Sequence, residues 1–258
     1  MKRIFTILMT AFCLTLSLVG CNSSPANKET TITLAAAASL KNCMDDKLIP
    51  MFVEQYPHIK IQTTYDGSGK LQSQIEEGAP IDVFISAAMK QINALNEQGL
   101  MNEDSIVQLL ENKVVLIVPE NSSKEINTFE DILVADTIAI GDPESVPAGQ
   151  YAKEALTNLG IWDKVSEKLS LGTNVTEVLN WIAEGSADVG IVYSTDASSN
   201  PKVKVVSEAP EGTVSKVIYP VGMVKNSQNE EAAKSFITFL QTDEALKVFE
   251  SYGFTANK

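Results

Sequence analysis

The stretch Gly141-Asp-Pro-Glu-Ser-Val-Pro-Ala-Gly-Gln-Tyr-Ala-Lys-Glu-Ala-Leu156 decides how the chain is read. It follows an apolar β-type run at 137–140 and ends with Ala, Leu and Glu at helical spacing, so a strand hands over to a helix through this loop. Pro147 fixes one φ angle and Gly149 carries no side chain. The N–H groups of Ala148 to Tyr151 fall in the first turn, which intrahelical carbonyls do not reach. Together with the positive end of the helix dipole they make a seat for an anion. Taken alone, the stretch reads equally well as an ordinary strand-to-helix connection. Its weight comes from the same construction recurring elsewhere.

Upstream, residues 32–35 predict a strand that runs into Ala36-Ala37-Ala38-Ser39-Leu40-Lys41, after which Cys43, Met44, Leu48, Ile49 and Phe52 repeat at helical spacing. Ser39 stands at that junction, where a serine caps the helix or turns its hydroxyl and N–H to a ligand. Residues 59–64 predict a second strand, and Tyr65-Asp66-Gly67-Ser68-Gly69-Lys70 leads into a helix over 71–77. The glycines flanking Ser68 let the backbone approach a ligand closely. Residues 80–86 read as a third strand. Ile92, Leu95 and Leu100, then Ile106, Leu109 and Leu110, predict helical segments; 113–118 is an apolar strand stopped by Pro119, and the polar run 120–128 follows.

Downstream of the loop, 162–171 reads as a less regular connection. Asn174 and Glu177 then form a capping-box pattern that leaves the N–H of Val175 at the mouth of another helix. Residues 187–192 predict a strand closed by Tyr193, whose phenol donates one hydrogen bond. Residues 203–206 and 217–224 predict further strands, the latter as a return crossing, and two amphipathic helices over 230–240 and 243–252 finish the chain. This alternation argues for mostly parallel sheets with helices on both faces and a site at the carboxyl ends of the strands.

Length and composition narrow the partners. A chain of 258 residues with 44% hydrophobic content suits one or two closely joined lobes. Lys2 and Arg3 precede an apolar run at 4–19 and then Leu18-Val19-Gly20-Cys21, which reads as a signal peptide over 1–20 ending in a match to a bacterial lipobox. That match implies cleavage before Cys21, a lipid on its thiol, and anchoring on the extracytoplasmic face of the cell membrane; a plain secretory signal ending in Cys is the alternative. Residues 21–30 are polar and suit a tether. Cys43 would then be the one remaining thiol, so a disulfide framework or a cysteine metal cluster is not expected. His58, after Pro57, reads as a surface residue.

Removing Lys2 and Arg3 takes the formal charge from −13 to −15, and Arg3 is the only arginine. Nucleic acid is thereby excluded as a partner, and so is bidentate clamping of carboxylates or phosphates by guanidinium. An anion would have to be held by neutral donors. Ser68 is set neither in a phosphate-cradling P-loop, since Thr64 stands where the first glycine is needed, nor in a nucleophile elbow, since Asp66 replaces a glycine and no histidine is placed to activate it. The chain reads as a binding protein rather than an enzyme.

Four junctions thus stand out, Ser39, Ser68, Ala148 and Val175, with Tyr193 at a strand end. Ala-Ala-Ala-Ser-Leu at 36–40, Gln-Ile-Glu-Glu-Gly-Ala-Pro at 74–80, the loop at 141–156, Gly-Ile-Val-Tyr at 190–193 and Tyr-Gly-Phe at 252–254 together resemble the molybdate-binding proteins of molybdate ABC transporters. The resemblance implies a two-lobed, type II periplasmic-binding-protein fold with a ligand cleft between the lobes. Lobe 1 is expected over 31–117 plus 221–258 and lobe 2 over 118–220, with hinge motion about the crossings near Val118 and Val221. It further implies a monomer that delivers its ligand to a membrane permease, with no cofactor.

By the same resemblance, Ser39 and Ser68 would each give a hydroxyl and an N–H to molybdate, Ala148 and Val175 an N–H, and Tyr193 its phenol, with no protein atom bonded to molybdenum itself. The chain departs from the pattern at Gly67 and Gly69, where some relatives carry serines. Molybdate is a fully deprotonated dianion, so a site of donors fits it, and tungstate has nearly the same size and charge. Sulfate differs by its shorter bonds. Phosphate retains a proton near neutrality and needs an acceptor, for which Asp66 is the candidate, so a sulfate or phosphate protein of the same fold is the alternative.

Overall fold

The computed structural model describes residues 29–257, so the expected signal peptide, Cys21 and most of the tether lie outside the described residues. Two sheets divide the strands. The first has the order β11-β4-β10-β3-β1-β2, formed by β1 (Thr30–Ala37), β2 (Ile59–Asp66), β3 (Val83–Ile85), β4 (Val107–Asn112), β10 (Val217–Met223) and β11 (Thr255–Ala256). The second runs β7-β6-β8-β5-β9, from β5 (Val114–Pro119), β6 (Ile138–Gly141), β7 (Leu169–Gly172), β8 (Val189–Tyr193) and β9 (Val203–Glu208).

Each sheet is mixed. β1 pairs in parallel with β2 and β3, and β6 pairs in parallel with β7 and β8. Those two parallel trios are the expected alternating units, each strand followed by a helix. The pairs that involve β4, β5, β9, β10 and β11 are antiparallel. They belong to the segments that carry the chain between sheets and close it at the end, where no crossover helix is needed to reverse direction.

The helices that matter for the site begin where parallel strands end. A helical run over 38–55, here α1, starts as a 3-10 turn at Ala38–Leu40, becomes α-helical at Lys41–Cys43, widens to a π turn at Met44–Leu48 and resumes at Ile49–Gln55. Pro50 explains the widening: its ring lacks an N–H and clashes with the carbonyl four residues back, and the Ile49 N–H bonds to Met44 O instead. The other main helices are α2 (Ser68–Glu76), α3 (Met89–Glu97), α4 (Pro147–Asn158), α5 (Val175–Ala183), α6 (Glu230–Leu240) and α7 (Asp243–Ser251). α6 and α7 bury Phe236, Phe239, Leu240 and Phe249 as core, and Phe52 of α1 packs edge-on against Phe236 with ring centroids 5.0 Å apart.

Three expectations are corrected. Ile106, Leu109 and Leu110 have helical spacing, yet 107–112 is strand β4, because pairing with both β10 and β11 overrides a short local periodicity. Residues 162–171 contain β7 after a short helix, Trp162–Val165. The chain also changes sheet earlier than expected in both directions. β5 lies wholly in the second sheet and β10 wholly in the first, so the crossings fall at Lys113 and within 209–216, not near Val118 and Val221. A continuous apolar strand carries no mark of the sheet to which it belongs.

Candidate functional site

A small, narrow cavity lies where the carboxyl ends of both parallel trios meet. From the first sheet it is lined by Ala37, Ala38 and Ser39 after β1, Asp66, Gly67 and Ser68 after β2, and Ala87 after β3. From the second come Val146, Pro147 and Ala148 after β6, Val175 after β7, and Tyr193 at the end of β8. All five residues singled out in the sequence, Ser39, Ser68, Ala148, Val175 and Tyr193, are therefore brought together.

The local geometry follows from helix ends. Ser39 is the second residue of the 3-10 turn opening α1, Ser68 the first of α2, Ala148 the second of α4 and Val175 the first of α5. N–H groups at these positions have no intrahelical acceptor, and four positive helix ends face one small space. In α4 the donor set is smaller than expected. The Gln150 N–H already bonds to Val146 O at 3.0 Å and Pro147 has no N–H, which leaves Ala148 and Gly149. At α5 the Asn174 side chain accepts the Glu177 N–H at 3.0 Å, while the Glu177 carboxylate takes the Thr173 N–H at 2.7 Å and hydroxyl at 2.8 Å. This is a capping box shifted by one residue, and it leaves the Val175 N–H unused.

The two serine hydroxyls are held by groups the sequence did not mark. Ser68 is fully buried and its Oγ accepts the Ala87 N–H at 3.0 Å. Ser39 Oγ lies 2.9 Å from the hydroxyl of Tyr219 on β10. Tyr193 donates to Ala87 O over a long 3.4 Å, and its ring meets those of Tyr151 and Tyr219 edge-on at 6.4 and 5.6 Å. Burial pushes the Tyr193 and Tyr219 phenols well above their ordinary value, so both keep their protons and remain donors. Asp66 lines the cavity, but its Oδ1 accepts the Gly67 N–H at 2.9 Å and its Oδ2 pairs with Lys70. That carboxylate is committed to its own loop.

The two sheets' loops touch across the cavity, and the glycines flanking Ser68 make this possible. The Gly69 N–H donates to Ser145 O at 2.8 Å. A Cβ on Gly69 would sit 2.4 Å from Ser145 O, and one on Gly67 would sit 2.6 Å from Thr173 O. Glycine at 67 and 69, the departure noted in the sequence, is thus the residue type this seam accommodates.

The arrangement presents neutral donors to a small space and suits a compact anion that only accepts. Comparison with known proteins agrees with the fold. Residues 32–255 match the family described as bacterial extracellular solute-binding protein. A Bacillus subtilis protein named as an ABC transporter substrate-binding lipoprotein is 41% identical over 257 residues, covering 98% of this chain and 97% of its own. A molybdate-binding protein of Haemophilus influenzae is 37% identical over 234 residues, covering 87% of this chain and 90% of its own. Among solved structures, a substrate-binding domain assigned to a molybdenum ABC transporter of Clostridium difficile superposes with a TM-score of 0.68 at 42% identity, covering 89% of this chain and all of that domain. With its two mixed sheets facing one cavity, the chain has the two-lobed periplasmic-binding-protein fold and belongs to the bacterial extracellular solute-binding proteins, in the family that includes the molybdate-binding protein of Haemophilus influenzae.

Proposed function

We propose that the protein captures molybdate, and tungstate with it, in the cavity between its two sheets and delivers it to an ABC transporter permease. The observation that carries this reading is the convergence of Ser39, Ser68, Ala148, Val175 and Tyr193 on one cavity. Ser39 and Ser68 give hydroxyl and N–H, Ala148 and Val175 give N–H, and Tyr193 gives its phenol. About seven donors at roughly 1.5–3 kcal/mol for each bond to a charged group amount to ~10–20 kcal/mol gross. Closure and ordering reduce this toward affinity on the order of nanomolar. The acidic surface does not oppose binding, because salt screens distant charges within about 8 Å while helix termini act at contact.

In this reading the first sheet, with residues up to 112 and from 217, is the core of one lobe, and residues 114–208 form the other. They close about the crossings at Lys113 and 209–216. Cys21 carries a lipid that keeps the monomeric protein on the extracytoplasmic face of the membrane, in keeping with the lipoprotein relative. Among the described residues no helix is long and apolar enough to cross a membrane. The phosphate alternative keeps one foothold, the Asp66 carboxylate at the cavity wall, whose oxygens are engaged by Gly67 and Lys70; sulfate, which only accepts, is distinguished by size.

The test is calorimetric titration of Ser68→Ala beside the wild type. Loss of a buried donor to a dianion is expected to weaken molybdate roughly ten- to a hundredfold. Unchanged affinity would remove Ser68 from the site and the reading with it.

A further inference from the structure

Asn112 ends β4 at the point where the chain leaves the first sheet. Its amide can be oriented without ambiguity. The Lys113 N–H can only donate, and it meets Asn112 Oδ1 at 2.8 Å, so that atom is the oxygen. The Ser194 hydroxyl donates to the same oxygen at 3.1 Å. The amide nitrogen therefore points the other way, to Thr195 Oγ1 at 2.9 Å and to the Tyr219 hydroxyl at 3.3 Å. An amide nitrogen only donates. The Tyr219 oxygen is accordingly an acceptor from Asn112, and its own hydrogen has Ser39 Oγ within reach at 2.9 Å, a contact in which either hydroxyl can donate. Tyr219 is fully buried, which keeps that hydrogen in place.

With Tyr219 as the donor in that contact, Ser39 receives a hydrogen bond from behind and its own O–H is left for the cavity. Ser68 is set the same way by a backbone donor, the Ala87 N–H. A serine hydroxyl free to rotate could turn a lone pair toward a protonated oxyanion such as hydrogen phosphate and accept its proton. A serine already accepting from behind presents its hydrogen. We propose that Asn112 and Tyr219 form a hydrogen-bond relay that fixes Ser39 as a donor, making Tyr219 a positioning and specificity residue that favours fully deprotonated oxyanions over protonated ones. This deepens the functional reading above and rests on it.

The relay predicts coupling that packing alone would not produce. Tyr219 acts through Ser39, so removing its hydroxyl matters only while Ser39 has one. Wild type, Tyr219→Phe, Ser39→Ala and the double variant are titrated calorimetrically with molybdate and, separately, with inorganic phosphate near neutral pH. Tyr219→Phe is expected to weaken molybdate roughly tenfold and to narrow the molybdate-to-phosphate ratio in the same direction. In the Ser39→Ala background the same change is expected to alter molybdate affinity by less than about twofold. Asn112→Ala, at a half-buried position, supplies a second entry to the relay, with a smaller loss that also vanishes without the Ser39 hydroxyl. Equal losses from Tyr219→Phe in both backgrounds, or no loss in either, would overturn the relay while leaving molybdate binding intact. A wild-type protein that ignores molybdate would instead defeat the functional reading on which the relay stands.

Discussion

On the proposed hinge motion, Gly69→Ala tests the contact between the two sheets' loops separately from the rest of the protein's stability. The added Cβ would sit 2.4 Å from Ser145 O, 2.8 Å from Ser145 Cα and 3.0 Å from Ser145 C, all backbone atoms that cannot rotate away. Ordinary contact begins near 3.4 Å, so the seam must part by about 1 Å. Overpacking of this kind costs about 1–3 kcal/mol. Stretching the Gly69 N–H to Ser145 O bond, now 2.8 Å, costs about 1 kcal/mol more. The sum, about 2–4 kcal/mol, corresponds to roughly a 30- to 700-fold loss of molybdate affinity. If the proposed opening parts this seam, the methyl group is clear of Ser145, and alanine in a helix is favoured over glycine by about 0.5–1 kcal/mol. The thermal midpoint without ligand is therefore expected to hold or rise slightly while calorimetric affinity collapses. Affinity within about threefold of wild type would refute the idea that this seam limits closure.

Other perturbations probe the scaffold. Gly149→Ala places a Cβ 1.9 Å from Gly141 O and 2.4 Å from its carbonyl carbon, where α4 presses on β6; chemical denaturation is expected to show a loss of about 3 kcal/mol or more with or without ligand, in contrast to Gly69→Ala. Asp196, whose Oδ2 accepts the Tyr193 N–H at 3.3 Å, is buried and its carboxyl is pushed up to about 7 from 3.8 by desolvation. The folded protein holds that proton where the unfolded chain has released it, so stability is highest below the ordinary carboxylate range, falls as pH rises toward about 7, and then levels. Urea unfolding across that window should show the slope in wild type and a flatter curve in Asp196→Asn. Cys43 donates to Leu40 O at 3.1 Å and burial pushes its thiol up to about 12; a thiol reagent near pH 8 should leave Cys43 unmodified in the native protein and label it promptly once unfolded.

The legible parts of the sequence were those with local causes. Pro147, Gly149, Ser39, Ser68 and the Asn174 cap announce helix beginnings by residue type and spacing, and the topology collects those beginnings at one place. What escaped has partners far along the chain. Tyr219 stands 180 residues from Ser39 and 107 from Asn112, and nothing around Tyr219-Pro220 marks it as more than a strand in a crossing. Ala87 supports Ser68 through its backbone, which leaves no trace in residue identity. The change of sheet at Lys113 is hidden because β4 and β5 are separated by one residue and both are partly apolar. The Ile106 to Leu110 spacing failed for the related reason that five residues cannot outweigh two flanking strands.

The central claim is a donor-built site for a small, fully deprotonated tetrahedral dianion. Parallel calorimetric titrations of the protein with molybdate, tungstate, sulfate and phosphate near neutral pH test it most directly. The account predicts tight one-to-one binding of molybdate and tungstate with sulfate and phosphate silent, and phosphate or sulfate binding in the absence of any heat from molybdate would contradict it.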